Sequence, residues 1–535
     1  MDSLDQKGSI QLPAELWSTI IGDVTHRAPE LIQLASVCRL WRHSIQQYPT
    51  LWTHIICEKH NDLEQQQLEL QLQLSAGLAL TVTIVTDGDT WPVHQHFIRS
   101  VLCEHRRIKS LSLHFGLFRD WQFSSVLQEV VGRLIDGSEW PLLAGIDLKI
   151  LPVFRHTYPP VSLIAPNLIN ISVVHWRVHG WQRLASSGLR SMTVQDNEDE
   201  PAALSMAPYP NIEVLKIQKR QAVFTRAVTT QLLWARLTSA SLTCVTMEME
   251  DLDAFLQCCP SLISLTVHID VPPETVEHLL QCVPTTLRHL SLSVNEHFRL
   301  NPLFPNDRLR MLESLRVVTA FILQPSSILG SNIQVFDANG IYMHLTDLAT
   351  AFVSGTLNML RILRLRDIKR TSLLDDGGPW GHVLGAIAGP TPLLPSLEEM
   401  DIEFSPGAAE GYPIDPRAPH VDFVNFIAVL VAVFANPSCR VRSAILKPLL
   451  LRLPQIEAIF RGVDFEAGNS RVTMINASPA TLKHVFFSGE KAGAPLRIGI
   501  LVDIAELEAV HNRNDGTVNE NGILGKLMPL LRTTL

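Results

Sequence analysis

The sequence predicts an α/β chain: a small N-terminal helical module, then an irregular solenoid of parallel β-strands joined by helical crossovers. Three observations carry this. A stretch of about 45 residues near the N-terminus places apolar residues at helical spacing between prolines. A pattern of apolar-x-x-apolar-x-apolar then recurs about a dozen times, mostly 20 to 30 residues apart. Finally, 46% of the 535 residues are apolar and only 18% charged, so the chain buries a large core without disulfides or metal.

The module lies within 11–57, after a polar segment at 1–10 that is expected to be disordered. Pro13 suits the first turn of a helix, where its missing N–H costs nothing. Leu16, Ile20 and Val24 follow at i, i+4, i+8 and share one face. Pro29 starts a second helix with Glu30 near its positive end. Leu31, Leu34, Cys38 and Trp41 recur at helical spacing until Pro49 breaks the chain before Leu51 and Trp52. So small a module cannot hide all its apolar residues, and the surplus meets either the downstream chain or a partner.

Leu12-Pro13-x-Glu15-Leu16, then Ile20-Ile21, then Leu31-x-x-Leu34-x-x-Val37-Cys38-Arg39-x-Trp41, ending in Leu51-Trp52, resembles the F-box motif. The departures are Val24 in place of the commoner leucine and Trp17 at a variable position. The resemblance implies a three-helix module that docks, through Leu12, Pro13, Glu15, Leu16, Ile20, Ile21, Leu31, Leu34, Val37, Cys38, Trp41, Leu51 and Trp52, on the Skp-type adaptor of a cullin-based ubiquitin ligase.

Residues 58–77 are Gln/Glu/Leu-rich and read as a helix or a linker. Leu78–Val85 alternates as a strand. The repeats then run to 404, among them Ile108-Leu111-Leu113, Leu143-Ile146-Leu148 and Leu397-Met400-Ile402. One such unit cannot bury its apolar face, whereas a stack can. The period is that of a leucine-rich repeat, although the usual asparagine after the strand is mostly missing. Residues 405–420, with prolines at 406, 413, 416 and 419, read as a loop insertion, and 421–535 as degenerate repeats or a cap. Degraded copies are expected at Val441-Ala444-Leu446 and Leu482-Val485-Phe487. A helical module followed by such repeats resembles an F-box/leucine-rich-repeat protein, notably the divergent fungal family.

That resemblance implies a non-catalytic substrate receptor: the module holds the adaptor, and through it the cullin, while the repeats hold a target protein. The alternative is a binding scaffold unconnected to ubiquitination. Strand side chains alternate, so residues between the apolar positions are expected on the concave side of the sheet. These include Lys216, His268, His289, Arg316, Arg364, Arg366, Glu399, Asp401 and Glu403. Pairing of Arg364 and Arg366 with the neighbouring acids is the simplest use of their charge.

Other chemistry finds little support. A net charge of −9, from 44 basic and 53 acidic residues, argues against a general nucleic-acid binder. The polar N-terminus lacks a signal-peptide core, and the apolar run 423–435 is too short to span a membrane, so a reduced cytoplasmic or nuclear setting is expected. Eight irregularly spaced cysteines are expected to be free thiols. Cys258, Cys259 and Cys282, with His268, His278 and His289, lack paired zinc-ligand spacing, so no metal or cofactor is expected. Gly377–Gly389 and Gly522–Lys526 match no phosphate loop, and no nucleophile elbow or HExxH occurs.

Overall fold

The computed structural model describes residues 13–25, 27–57, 62–87, 91–116, 138–150, 164–174, 188–196, 202–203, 211–223, 234–246, 249–269, 279–294, 311–318, 322–323, 332–340, 342–343, 357–370, 394–404, 440–450, 456–457, 460, 463–464, 471–476, 482–491 and 494–513. The expected insertion at 405–420, the apolar run 423–435, the glycine-rich segments and Leu12 lie outside these. The chain is mixed α/β and divides into two compact units, Met1–Pro260 and Ser261–Leu535.

The first unit opens with three helices, α1 (Ala14–Val24), α2 (Ala28–Val37) and α3 (Arg39–Gln47), followed by a 3-10 turn, Pro49–Trp52. Thr25 leaves the helical conformation and ends α1. Its hydroxyl donates to the Glu30 carboxylate and accepts the Arg27 N–H (3.1 Å), which sets the corner into α2. Cys38 is extended and its Sγ accepts the Trp41 N–H at 3.5 Å, so a thiol caps α3. Ile21, Ala28, Leu31, Ile45, Leu51 and Trp52 form the module's core. The Trp52 Nε1–H donates to the Ile45 carbonyl at 2.8 Å, so the largest core side chain buries no unsatisfied donor.

The sheet starts earlier than its repeats do in sequence. His54–Cys57 (β1) pairs in parallel with Leu80–Thr86 (β2), and α4 (Asp62–Leu74) makes the crossover. The 58–77 segment is thus helical over most of its length. Beyond β2 stand Ile108–Phe115 (β3), Gly145–Ile150 (β4), Asn170–Val174 (β5), Ser191–Asp196 (β6), Val214–Val223 (β8) and Ser239–Thr246 (β9). Each is parallel to the one before. The short Ala202–Ala203 (β7) pairs only with the end of β8. Crossover helices include Trp91–Cys103 (α5) and Met249–Gln257.

A common backbone grammar replaces the missing asparagines. The N–H of Leu143, Leu168, Leu237, Leu287, Leu360 and Leu397 each donates to the carbonyl three residues earlier, closing a turn that buries the leucine. One carbonyl per rung then accepts two successive N–H groups of the next rung. Ile169 accepts from Arg190 and Ser191, and Arg190 from Glu213 and Val214. The same relation links Arg288 to Glu313 and Ser314, and Arg361 to Glu398 and Glu399. The main chain itself satisfies the groups at each turn, so no side-chain amide ladder is required.

In the second unit Ser264–Ile269 (β10), His289–Val294 (β11), Ser314–Val318 (β12), Val335–Asn339 (β14), Ile362–Arg370 (β16), Glu399–Phe404 (β17) and Ser443–Leu450 (β18) form a parallel series. Ile322–Leu323 (β13) and Tyr342–Met343 (β15) add a small second ladder alongside Lys369 and Arg370. Gly340, at φ +69°, makes the corner from β14 toward β15, where a side chain would be strained.

The copy expected at Val441-Ala444-Leu446 is a parallel rung, but the one at Leu482-Val485-Phe487 is not. Leu482–Lys491 (β21) runs antiparallel to both Ala494–Asp503 (β22) and Arg471–Asn476 (β20), and Val463–Asp464 (β19) pairs antiparallel with β21. Two residues separate β21 from β22, enough for a hairpin, whereas a parallel crossover needs a dozen or more. The sheet joins this meander through β22, parallel to β18. Phe486 lies across from Gly499, where an added Cβ would stand 2.7 Å from the ring.

Candidate functional site

The module's surface carries the apolar surplus that its composition implies. Leu16, Ile20 and Val24 stay 49%, 43% and 71% exposed along α1, and Val37, at the end of α2, 64%. Pro13 and Cys38 are exposed, and Leu34 and Trp41 are half-buried. Ile21, Leu31, Leu51 and Trp52 are instead at most 3% exposed and fill the module's own core. The side chain of Glu15 is outside the described set.

The module is fastened to the first rung. Leu74 of α4 packs on the module core, and the Gln71 Nε2–H donates to the His54 carbonyl of the first strand at 3.0 Å. Arg107 reaches back with Nε to the Leu78 carbonyl (3.2 Å) and with Nη2 to the Ser75 hydroxyl (2.7 Å), tying the crossover to the next rung. Only Thr53 stands between the 3-10 turn of the module and β1.

Lys216, His268, His289, Arg316, Arg364, Arg366, Glu399, Asp401 and Glu403 are exposed or half-buried and alternate along their strands with buried apolar residues. In the second unit Arg316, Asp337, Arg364 and Asp401 stand in one register row across four adjacent strands, alternating in charge. Arg316 approaches Asp337 at 3.8 Å, Arg364 binds Glu399 at 2.8 Å, and Arg366 binds Asp401 at 2.9 Å. The hydrogen bond to Asp401 raises the Arg366 pKa further. Glu403 is exposed and shares its register position with Lys447. His268 and His289 are exposed two and one strands before Arg316. A second line of cross-strand pairs runs along the turns: Arg288–Glu313 (3.1 Å) and Arg361–Glu398 (3.1 Å). The Arg361 guanidinium holds the Glu398 carboxyl below its ordinary value. Such pairs are individually weak at a surface but favour one register over its neighbours.

The first unit's open face is richer in hydroxyls and amides, among them Ser112, Asn170, Ser172, Thr193 and Ser241, beside Val85, Lys149 and Lys216. It carries one cluster that no sequence motif marks. Asp147 Oδ2 lies 3.0 Å from His114 Nε2, 3.0 Å from Lys149 Nζ and 3.4 Å from Ser112 Oγ. Burial opposes ionisation of Asp147, but the hydrogen bonds from His114 and Ser172 and the charge of Lys149 outweigh it, leaving the carboxyl below its ordinary range. A nucleophilic triad uses one imidazole nitrogen for the hydroxyl and the other for the carboxylate. Here Nε2 faces both, with Ser112 Oγ at 3.0 Å, so the arrangement does not relay a proton between them. The signal lay in the repeat: Ser112, Asp147, Ser172, Thr193 and Lys216 occupy the same slot, between the second and third apolar positions of successive copies.

Among the described residues no three His, Cys, Asp or Glu side chains gather to hold a metal ion. Cys259 is buried, which pushes its thiol pKa far up, and Cys258 is raised by the same cause. His278 lies outside the described residues. No helix among them is long and apolar enough to cross a membrane. No protein-family model matches the chain. No curated protein matches it either.

Proposed function

We propose that this protein is a substrate receptor of an Skp–cullin–F-box-type ubiquitin ligase, with the helical module docking the adaptor and the open faces of the leucine-rich-repeat sheets capturing a target protein. The observation that carries the reading is the row of Leu16, Ile20 and Val24 along α1, left in water by a module whose own core is already filled. Exposed apolar residues in helical register are the surface an apolar groove or partner helix covers. The F-box resemblance names the adaptor as that partner. The protein itself performs no bond chemistry in this reading. Tethering a captured target to the ligase through one chain raises the effective concentration for ubiquitin transfer.

Tagged full-length protein expressed in cells should recover both an Skp-type adaptor and a cullin, and its captured partners should persist longer when the cullin is inhibited. Recovery of adaptor without cullin, and with unchanged partner lifetimes, favours the scaffold reading. Recovery of neither overturns the proposal.

A further inference from the structure

The turns that lead into the strands of the second unit carry two rows of side chains of their own. One row, directly before the strands, reads Arg288, Glu313, Gln334, Arg361, Glu398 and Arg442 in successive rungs. Its charges pair off as Arg288–Glu313 and Arg361–Glu398, the second pair bidentate, with Nε to Oε1 and Nη2 to Oε2 both 3.1 Å. Arg442 is left over at the end of the series. The next strand of the sheet, β22, brings Leu496 to that place, and Leu496 is buried. Arg440, two residues earlier on the same turn, is exposed like Arg442 and has Ser396 as its counterpart on the preceding turn. The Glu398 carboxyl is held below its ordinary value first by the Arg361 hydrogen bond and then by the charges of Arg361, Arg442 and Arg440. One carboxylate thus serves three guanidiniums. Glu399 is engaged by Arg364 on the open face. Glu490, opposite Pro495, is two strand intervals from this turn, about 10 Å, beyond a screening length of about 8 Å. The second row, two residues further from the strands, reads Met311, Asn332, Met359, Ser396 and Arg440. Met311 and Met359 are 46% and 49% exposed. Alternate rungs therefore present Met311, Met359 and Arg440 about 10 Å apart along one edge.

From this placement we infer that the turn edge of the second unit docks a linear segment of the captured protein in which unmodified acidic residues, seated on Arg440 and Arg442, are followed by an apolar side chain seated on Met359. The inference rests on the reading that the repeats capture a target, and it adds a second contact surface to their open faces. Two uncompensated guanidiniums fit two carboxylates, each of which can accept a bidentate fork. A phosphate dianion would instead concentrate its charge beside Glu398. The unbranched thioether of Met359 adapts to apolar side chains of varied shape. An extended segment covers about 10 Å in three residues, the interval between Arg440 and Met359. A nucleic acid or an anionic membrane would press a continuous negative surface against Glu398 and Glu313 too, on a chain of net charge −9. A short acidic stretch meets the arginines alone.

The test uses full-length protein in solution over densely immobilised Gly/Ser peptides that carry the core Asp-Ser-Asp-Ser-Ser-Leu, read by biolayer interferometry at low salt. Control peptides replace both aspartates by asparagine, the leucine by serine, or the aspartate pair by one phosphoserine. Further arms present duplex DNA and vesicles with anionic lipid. The aspartate–leucine peptide should bind most tightly. Arg440→Glu with Arg442→Glu should weaken it about fivefold or more, and Met359→Asp should weaken it too. All three residues are exposed, and thermal unfolding checks that the variants stay folded. Absence of peptide binding, equal binding of the asparagine peptide, or undiminished binding to the double arginine variant overturns the inference. Tighter arginine-dependent binding of the phosphoserine peptide, the DNA or the vesicles also overturns it, by assigning the edge to another occupant. If adaptor, cullin and cullin-dependent partner turnover are all found while the arginine variant alters nothing, the docking edge falls and the receptor reading stands. If the peptide binds through Arg440 and Arg442 in a protein that recovers neither adaptor nor cullin, the docking edge stands and the receptor reading falls.

Discussion

Replacing Leu16 and Ile20 together by alanine separates docking from folding at the module. The two side chains are 49% and 43% exposed, so roughly half of each is already inside the module and half is available to a partner. Fully burying a leucine or isoleucine stabilises by about 1.5–3 kcal/mol, so the exposed halves contribute about 1.5–3 kcal/mol together on docking. At about 1.4 kcal/mol per decade, the double variant should bind the adaptor roughly 10- to 100-fold more weakly. The assay is titration of purified adaptor against immobilised full-length protein, with circular dichroism and thermal unfolding as the folding control. Leu31→Ala provides the contrast: it empties a fully buried site, costs about 2–5 kcal/mol of module stability, and should lose adaptor together with the module's helical signal. Adaptor affinity within twofold of wild type for the Leu16→Ala, Ile20→Ala protein would refute docking through α1.

Arg364→Glu with Arg366→Glu replaces two cross-strand ion pairs by a run of like charges beside Glu399 and Asp401. Target capture should fall while adaptor binding is unchanged; capture lost instead through outer helical-face variants would move the site off the sheet. Asp147→Asn should cost about 1 kcal/mol at neutral pH. Because folding lowers the Asp147 pKa, its contribution is complete above the unfolded value of about 3.8 and is lost as pH falls through the lower folded value. The melting-temperature gap between wild type and variant should therefore be constant from neutral pH to about pH 5 and close below about pH 4. Gly499→Ala brings a methyl to within 2.7 Å of the Phe486 ring and should destabilise the C-terminal sheet by about 1–3 kcal/mol, which Phe486→Leu in the same chain relieves. Native iodoacetamide labelling at pH 8 should modify the exposed Cys38 and Cys103 first, while Cys259 reacts only after denaturation, because burial keeps it protonated and covered. After denaturation without reductant all eight cysteines should label; a missing pair would reveal a disulfide.

The sequence by itself determined the rungs. Burial of the three apolar positions is a local consequence of alternation, and it recurs from Ile108-Leu111-Leu113 to Leu397-Met400-Ile402 because each copy must cover its neighbour. It also determined which slot faces outward, hence the placement of Lys216, Arg316 and Arg364. The repeat spacing did not mark where strand direction reverses, since it describes both the parallel β18 and the antiparallel β21. Chain connection decides between them, and the two-residue link to β22 permits only a hairpin. Tertiary structure alone revealed that β1, four residues that read as the tail of the helical module, is the first strand of the sheet. It alone brought His114 to Asp147, 33 residues apart, because register between rungs, and not distance along the chain, sets which outward side chains meet. The module's apolar residues divided for the same reason. Periodicity groups Leu16 with Ile20 and Val24, but only the packing of α2, α3 and Trp52 against Ile21 decides which face of α1 remains in water.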